Sequence, residues 1–182
     1  NSVVCTHLTH MLNPTVNNNP GDMGSLPLVM NPSLQQTVEV IVNECVTNYR
    51  SDWDSNETSW DFATLPVSQS KAATLQQSQE TADTECSDRF TRMKELEEEI
   101  NRLFIEAYGL QDELSPEIPD DQITLYRPDR EEDIKRLLSY AIGCIMGRYS
   151  LDKPGLVYAH SGNQGFDPGQ YKTFRADDDG II

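Results

Sequence analysis

Residues 88–108 read DRFTRMKELEEEINRLFIEAY, and this run decides the fold. Strong helix formers dominate it, no proline interrupts it, and Gly109 follows where a left-handed helix cap is wanted. Working backward, Leu75, Ala82, Cys86, Phe90, Met93, Leu96, Ile100, Leu103, Phe104 and Ala107 recur in threes and fours, the spacing of one helix face. The pattern predicts one amphipathic helix over residues 71–108, about 55 Å long at the helical rise. That length outruns one small core, so other helices must pack along it. Residues 68–87 are rich in Gln, Ser and Thr, which predicts frayed turns at the start of this helix.

Two further helices frame the spine. Asn31 is a cap candidate with Pro32 preset for the first helical position, and Ser33 with Gln36 offers a competing capping box. Leu34, Val38, Ile41, Val42, Cys45 and Tyr49 then form a stripe over residues 33–50. Asp129 with Glu132 makes a second capping box before residues 130–148, where Ile134, Leu137, Leu138, Ala141, Ile142, Ile145 and Tyr149 face one side. Gly143 and Gly147 cost helix propensity and are explained by close approach of a neighbouring element. Val3, Val4, Leu8, Met11 and Leu12 suit a short opening helix, whereas residues 12–28, crowded with Asn, Pro and Gly, form a loop. Trp53, Trp60 and Phe62 are expected to be buried anchors of a connection between antiparallel helices. Short extended pieces are expected at residues 122–126 and before Tyr158, and a glycine-rich loop over residues 160–169. The expected fold is mainly α: an antiparallel long-helix hairpin or bundle with extended loops and a few short strands, residues 130–148 packing on the hairpin.

Charge is distributed unevenly along the 182 residues, whose 14 Lys and Arg against 30 Asp and Glu give a net charge of -16. Residues 1–126 hold 6 basic and 21 acidic residues, net -15, whereas residues 127–175 hold 8 and 6, net +2. Phosphate contacts require concentrated positive charge, so any DNA contact belongs to the C-terminal third or the uncharged opening segment. In that opening segment Asn17, Asn18 and Asn19 suit either a plain turn or the reading of adenine edges, since Asn pairs bidentately with adenine. No apolar run approaches the roughly 18 residues that a membrane-crossing helix needs, and a soluble, cytoplasmic chain excised from something larger is expected. Cys5, Cys45, Cys86 and Cys144 form no C-x-x-C pair and are expected as free thiols. His7 and His10 lie near Cys5 but find no second ligand pair downstream, so no metal site is expected. Asp52, Asp54 and Asn56 imitate a calcium loop, yet Glu57 stands where its glycine belongs and Ala63 where its bidentate glutamate belongs. No Ser-His-Asp spacing, phosphate-cradling loop or zinc hydrolase helix is present.

Several segments resemble a known family. Residues 13–17 (NPTVN), Gly21-Asp22 and Leu26-Pro27 look like the closing segment of a DNA target-recognition domain in single-chain restriction-modification methyltransferases, and residues 52–62 (DWDSNETSWDF) resemble the signature that follows it. Residues 100–114 (INRLFIEAYGLQDEL) and 130–156 (REEDIKRLLSYAIGCIMGRYSLDKPGL) are similar to the adenine-specific DNA methyltransferases of the BREX phage-defence systems. The resemblance implies a parent enzyme that transfers a methyl group from S-adenosylmethionine to N6 of adenine at a specific DNA sequence. It also implies DNA and other phage-defence proteins as partners, and no membrane. Residues 1–30 then close the recognition region, 31–109 form the helical hairpin with its Trp-rich connection, 110–128 a Pro-rich connector, 129–158 a C-terminal helix and turn, and 159–182 a loop and truncated end.

The family's glycine-rich cofactor motif and Asn-Pro-Pro-Tyr motif are missing, and residues 31–34 (NPSL) do not substitute for the latter. The segment is therefore expected to hold no catalytic, cofactor-binding or metal-binding residue, with S-adenosylmethionine left to the parent. Its DNA-contact candidates are Asn17, Asn18 and Asn19 beside the recognition loop, and Lys153, Lys172 and Arg175 for phosphates, each competing with an ordinary solvated surface. Two other classes share these features: the specificity subunit of a multi-subunit restriction-modification enzyme, and a helical interaction scaffold with no DNA role.

Overall fold

The computed structural model describes residues 2–15, 20–29, 31–70, 72–160 and 164–177. It is mainly helical. The α-helices are, in order, α1 (Val3–Leu12), α2 (Pro20–Gly24), α3 (Pro32–Trp53), α4 (Pro66–Gln69), α5 (Leu75–Tyr108) and α6 (Arg130–Ile145), with single 3-10 turns at Asp120–Gln122 and Pro168–Gln170.

The helix ends follow local chemistry. Thr74 caps α5 by accepting the Gln77 amide at 3.2 Å, so the helix starts at Leu75 rather than at residue 71. At α3 the Asn31 cap prevails over the Ser33 alternative, its Oδ1 accepting the amides of Ser33 and Leu34 at 3.0 and 3.4 Å. Asp129 caps α6 through the amides of Glu131 and Glu132 at 2.9 and 3.1 Å, while the Glu132 carboxylate is engaged by Lys135. Gly109 and Gly147, at φ +69° and +74°, end α5 and α6. In both, the residue after the glycine donates five positions back: Leu110 to Ile105 O at 2.9 Å, and Arg148 to Gly143 O at 2.7 Å. This is why α6 ends at Ile145, short of residue 148.

The chain divides into two compact units, Asn1–Asn48 with Arg89–Thr124, and Tyr49–Asp88 with Leu125–Ile182. In the first, Met93, Leu96 and Ile105 of α5 are buried with Val4, Cys45, Ile118 and Ile123. Asn101, 3% exposed, acts as a polar staple inside this core: its Oδ1 accepts the Val3 amide at 2.9 Å and its Nδ2 donates to Pro116 O at 3.2 Å. A buried amide of this kind is tolerated because both ends are satisfied. Arg92 of α5 grips Glu44 of α3 with two bonds of 2.7 and 3.0 Å, and Tyr108 Oη donates to Pro27 O at 2.6 Å.

In the second unit Phe62, Leu65 and Val67 pack with Tyr140, Cys144 and Tyr149, with Leu137 at the margin. Gly143 is small for the reason its sequence context suggests: a Cβ there would lie 2.5 Å from Tyr149 Cδ2. Gln79 of α5 donates to Asp133 of α6 at 3.2 Å, so α6 meets the early turns of the long helix.

Three expectations are corrected. Of the supposed anchors only Phe62 is buried, at 5% exposed; Trp53 is 61% exposed and Trp60 wholly so. The turn is held by polar bonds instead, Ser59 Oγ donating to Asp54 at 2.6 Å and Ser55 Oγ to Asp52 O at 2.6 Å, and these direct only the phenyl ring inward. Leu75 begins α5 57% exposed rather than joining a core face. Finally, no strand forms among the described residues beyond an isolated antiparallel bridge between Ser150 and Lys153. Residues 122–126 bond otherwise than in a ladder: the Gln122 amide donates to Pro119 O at 3.0 Å within a 3-10 turn, and the Tyr126 amide to the Asp52 carboxylate at 3.1 Å, where a strand would need a neighbouring carbonyl.

Candidate nucleic-acid interface

The C-terminal segment is built outward from Gly147. Its carbonyl accepts the Tyr171 hydroxyl at 2.6 Å, and Tyr171, 3% exposed, stacks on Phe166 with ring centroids 5.3 Å apart. Tyr158 meets Phe166 edge-on at 5.5 Å. On this aromatic platform Ser150 Oγ donates to Gln170 O at 2.7 Å and accepts the Asp152 amide at 3.1 Å. Asp152 then closes the segment. Its Oδ2 accepts the amides of Lys172 and Thr173 at 2.6 and 2.8 Å, and its Oδ1 accepts the Thr173 hydroxyl at 2.5 Å. The hydroxyl and amide of Thr173, ahead of the Lys172 amide and charge, hold the Asp152 carboxyl below the usual carboxylate range.

The consequence for the basic candidates is direct. Lys153 follows Asp152 in the chain, and its ammonium donates to the Gln170 side chain at 2.8 Å; Lys172 hangs from the backbone that Asp152 clamps. The Lys172 backbone is therefore brought to Asp152 across twenty residues of sequence, with Arg175, exposed, three residues further on. Asn17, Asn18 and Asn19 lie outside the described residues.

A second polar network sits at the start of α6. Tyr126 Oη donates to Asp133 at 2.9 Å, and the Arg136 guanidinium lies 3.7 Å over the Tyr126 ring. Burial first, then the bond to Asp133, pushes the Tyr126 phenol up to about 12. Burial likewise raises the Asp133 carboxyl, outweighing the Tyr126 bond that lowers it. Folding favours the neutral phenol, so its stabilising contribution is complete below the unfolded tyrosine value of about 10 and is lost as pH rises toward 12. Burial also raises the Tyr140, Tyr149 and Tyr171 phenols, so the check is one of amplitude: in an ultraviolet titration Tyr126→Phe is expected to remove one phenol's absorbance change from the part above the ordinary tyrosine value, and an unchanged amplitude there would contradict the assignment.

Asp152 and Tyr171 carry no mark of their organising role in the sequence, and Gly147 shows there only as a site of close approach. A carboxylate that caps amides twenty residues away has no local pattern to reveal it; only the glycines carried a signal. Asp52 and Asp54, the calcium imitators, are engaged by the Tyr126 amide and the Ser59 hydroxyl. Among the described residues no group of three His, Cys, Asp or Glu side chains is placed to hold a metal ion, and no helix is long and apolar enough to cross a membrane. The four cysteines form no disulfide, Cys86 Sγ donates to Tyr126 O at 3.0 Å, and burial pushes the Cys45 and Cys144 thiols up.

No protein-family model matches the chain. Over its whole length the chain is similar to segments of proteins of one class, the adenine-specific methyltransferases. It is 40% identical over 191 residues to the adenine-specific methyltransferase PglX of Lacticaseibacillus casei (strain Zhang), a match covering 100% of this chain and 15% of that protein. It is 31% identical over 203 residues to the adenine-specific methyltransferase BrxX of Escherichia coli O9:H4 (strain HS), covering 100% of this chain and 16% of that protein. The chain belongs to this BREX-type methyltransferase family and corresponds to a segment of such a protein.

Proposed function

We propose that this chain is a non-catalytic recognition and scaffolding segment of a site-specific DNA methyltransferase, one that moves a methyl group from S-adenosylmethionine to N6 of adenine in host DNA marking and phage exclusion. Its helices hold the recognition region against the methyltransferase core, and its C-terminal loops touch the DNA backbone. The observation that supports the DNA contact is the Asp152 clamp, which accepts the Lys172 amide while the neighbouring Lys153 bonds Gln170, all within residues 127–175, where basic residues outnumber acidic ones. Cationic side chains on a fixed backbone release counterions on meeting phosphates and set the register of an enzyme on its duplex. The cofactor and the extruded adenine belong to the rest of the parent, because the motifs that would hold them are absent from these 182 residues.

The test compares the full-length parent with this chain, using labelled S-adenosylmethionine and bacterial DNA. The parent is expected to methylate adenine at one sequence and the chain alone to transfer nothing. In the parent, the triple variant Lys153→Ala, Lys172→Ala, Arg175→Ala is expected to flatten the slope of log affinity against log salt by about 2–3, leaving the methylated sequence unchanged. Methyl transfer by the chain alone would remove the non-catalytic assignment, and an unchanged salt slope would remove the phosphate contacts.

A further inference from the structure

The second unit carries an apolar face that its own core does not use. Tyr140, Gly143 and Cys144 are the buried residues of α6, whereas Ile134, Leu138 and Ile142 are 49%, 57% and 47% exposed. They recur every fourth residue and so form one stripe along the helix. At its N-terminal end the stripe runs into a groove of about 670 Å³ between α6 and the first turns of α5, its apolar lining provided by Leu75, Ile134 and Leu137. Glu80, Asp83 and Asp133 line the same groove, with Arg130 the one basic residue among them. The hydrogen-bond donors to these carboxylates are neutral, Glu80 accepting from the Gln76 amide at 2.9 Å, Asp83 from the Gln79 amide at 2.7 Å, and Asp133 from Gln79 and the Tyr126 hydroxyl at 3.2 and 2.9 Å, with the Arg136 charge acting on Asp133. The groove therefore keeps a negative charge beside its apolar lining.

We infer that this face is covered by another segment of the same polypeptide, an amphipathic helix bordered by Lys or Arg, from the part of the protein outside these 182 residues. The chemistry fixes the occupant's character: large aliphatic side chains three and four residues apart would fill the stripe, and a basic border would answer the acidic groove. Length fixes its source. The chain spans only 15% and 16% of its two relatives, so most of a parental polypeptide lies beyond it and is present at the high effective concentration of a covalent tether. This inference rests on the scaffolding half of the proposed function and names the surface that would perform it.

The test uses the full-length protein with the photo-crosslinker p-benzoylphenylalanine at position 138, a second preparation carrying it at position 142, and a control at position 131, where the Glu131 side chain is 81% exposed. Products are mapped by peptide mass. The expected result is an intrachain product joining positions 138 and 142 to one Lys- or Arg-containing segment outside the 182 residues, at least tenfold above the control. Products between two copies, products with another protein, or yields equal to the control would each overturn the inference. Because the readout is a peptide mass, it is independent of methyl transfer: loss of the salt-slope effect above with this product intact would sink only the DNA contact.

Discussion

Replacing Phe62 with alanine is expected to destabilise the second unit by about 3–5 kcal/mol, the range for removing a buried aromatic side chain. The ring is 5% exposed and meets Tyr149 edge-on at 5.3 Å and Tyr140 at 6.0 Å, while those two tyrosines stack at 5.2 Å. Truncation removes the transfer free energy of the phenyl group and leaves a hole that two stacked phenols cannot close without giving up their own contact. Since whole domains are stable by only about 5–15 kcal/mol, one such loss takes a large share. Phe62→Leu keeps much of the apolar volume but forfeits both edge contacts, and is expected to fall between wild type and alanine. Urea denaturation followed by near-ultraviolet dichroism measures the effect, because the rings concerned supply the signal. A midpoint unmoved by Phe62→Ala would mean that the phenyl group does not fill this core.

The same residue illustrates what the sequence could disclose. Helices were legible because their evidence is local and repeated: the 3.6-residue spacing of α5, the Asn31-Pro32 start, the Asp129 cap, and Gly109 as a stop. Apolar area favours burial of Trp53, Trp60 and Phe62 alike, yet the one ring of the three that enters the core is the one packed with Tyr140 and Tyr149, residues nearly eighty and ninety positions away. Partner choice at that separation leaves no trace in composition. Asn101 is a similar case: its role in the core rests on hydrogen bonds to Val3 and Pro116, the first of them 98 positions away. For the candidate interface the charge balance points to the C-terminal third, where basic residues concentrate, but the clamp that ties Lys172 to Asp152 is hidden in the sequence. Asp152 counted only as one more carboxylate in an acidic protein.

Gly147 is the residue on which that device depends, and its replacement by valine separates two causes that a glycine usually confounds. A side chain at φ +74° suffers the left-handed backbone penalty, about 1–2 kcal/mol for an L-residue. It also suffers crowding, since a Cβ would lie 2.9 Å from Phe166 Cε2 and 3.3 Å from both Ala176 Cβ and Tyr171 Oη. Forced overpacking adds about 1–3 kcal/mol. Gly109 supplies the control, with nearly the same backbone at φ +69° and nothing within 4 Å of an added Cβ. Gly147→Val is therefore expected to lose about 1–3 kcal/mol more than Gly109→Val, the backbone term cancelling between them. The excess should appear locally as well: displacement of Phe166 and Tyr171 undermines the platform beneath Gln170 and Asp152. The Lys172 and Thr173 amides should then lose hydrogen-exchange protection in Gly147→Val and keep it in Gly109→Val. Equal losses from the two variants, with both amides still protected, would mean that the aromatic platform does not rest on Gly147 and that the basic loops are positioned by Asp152 alone.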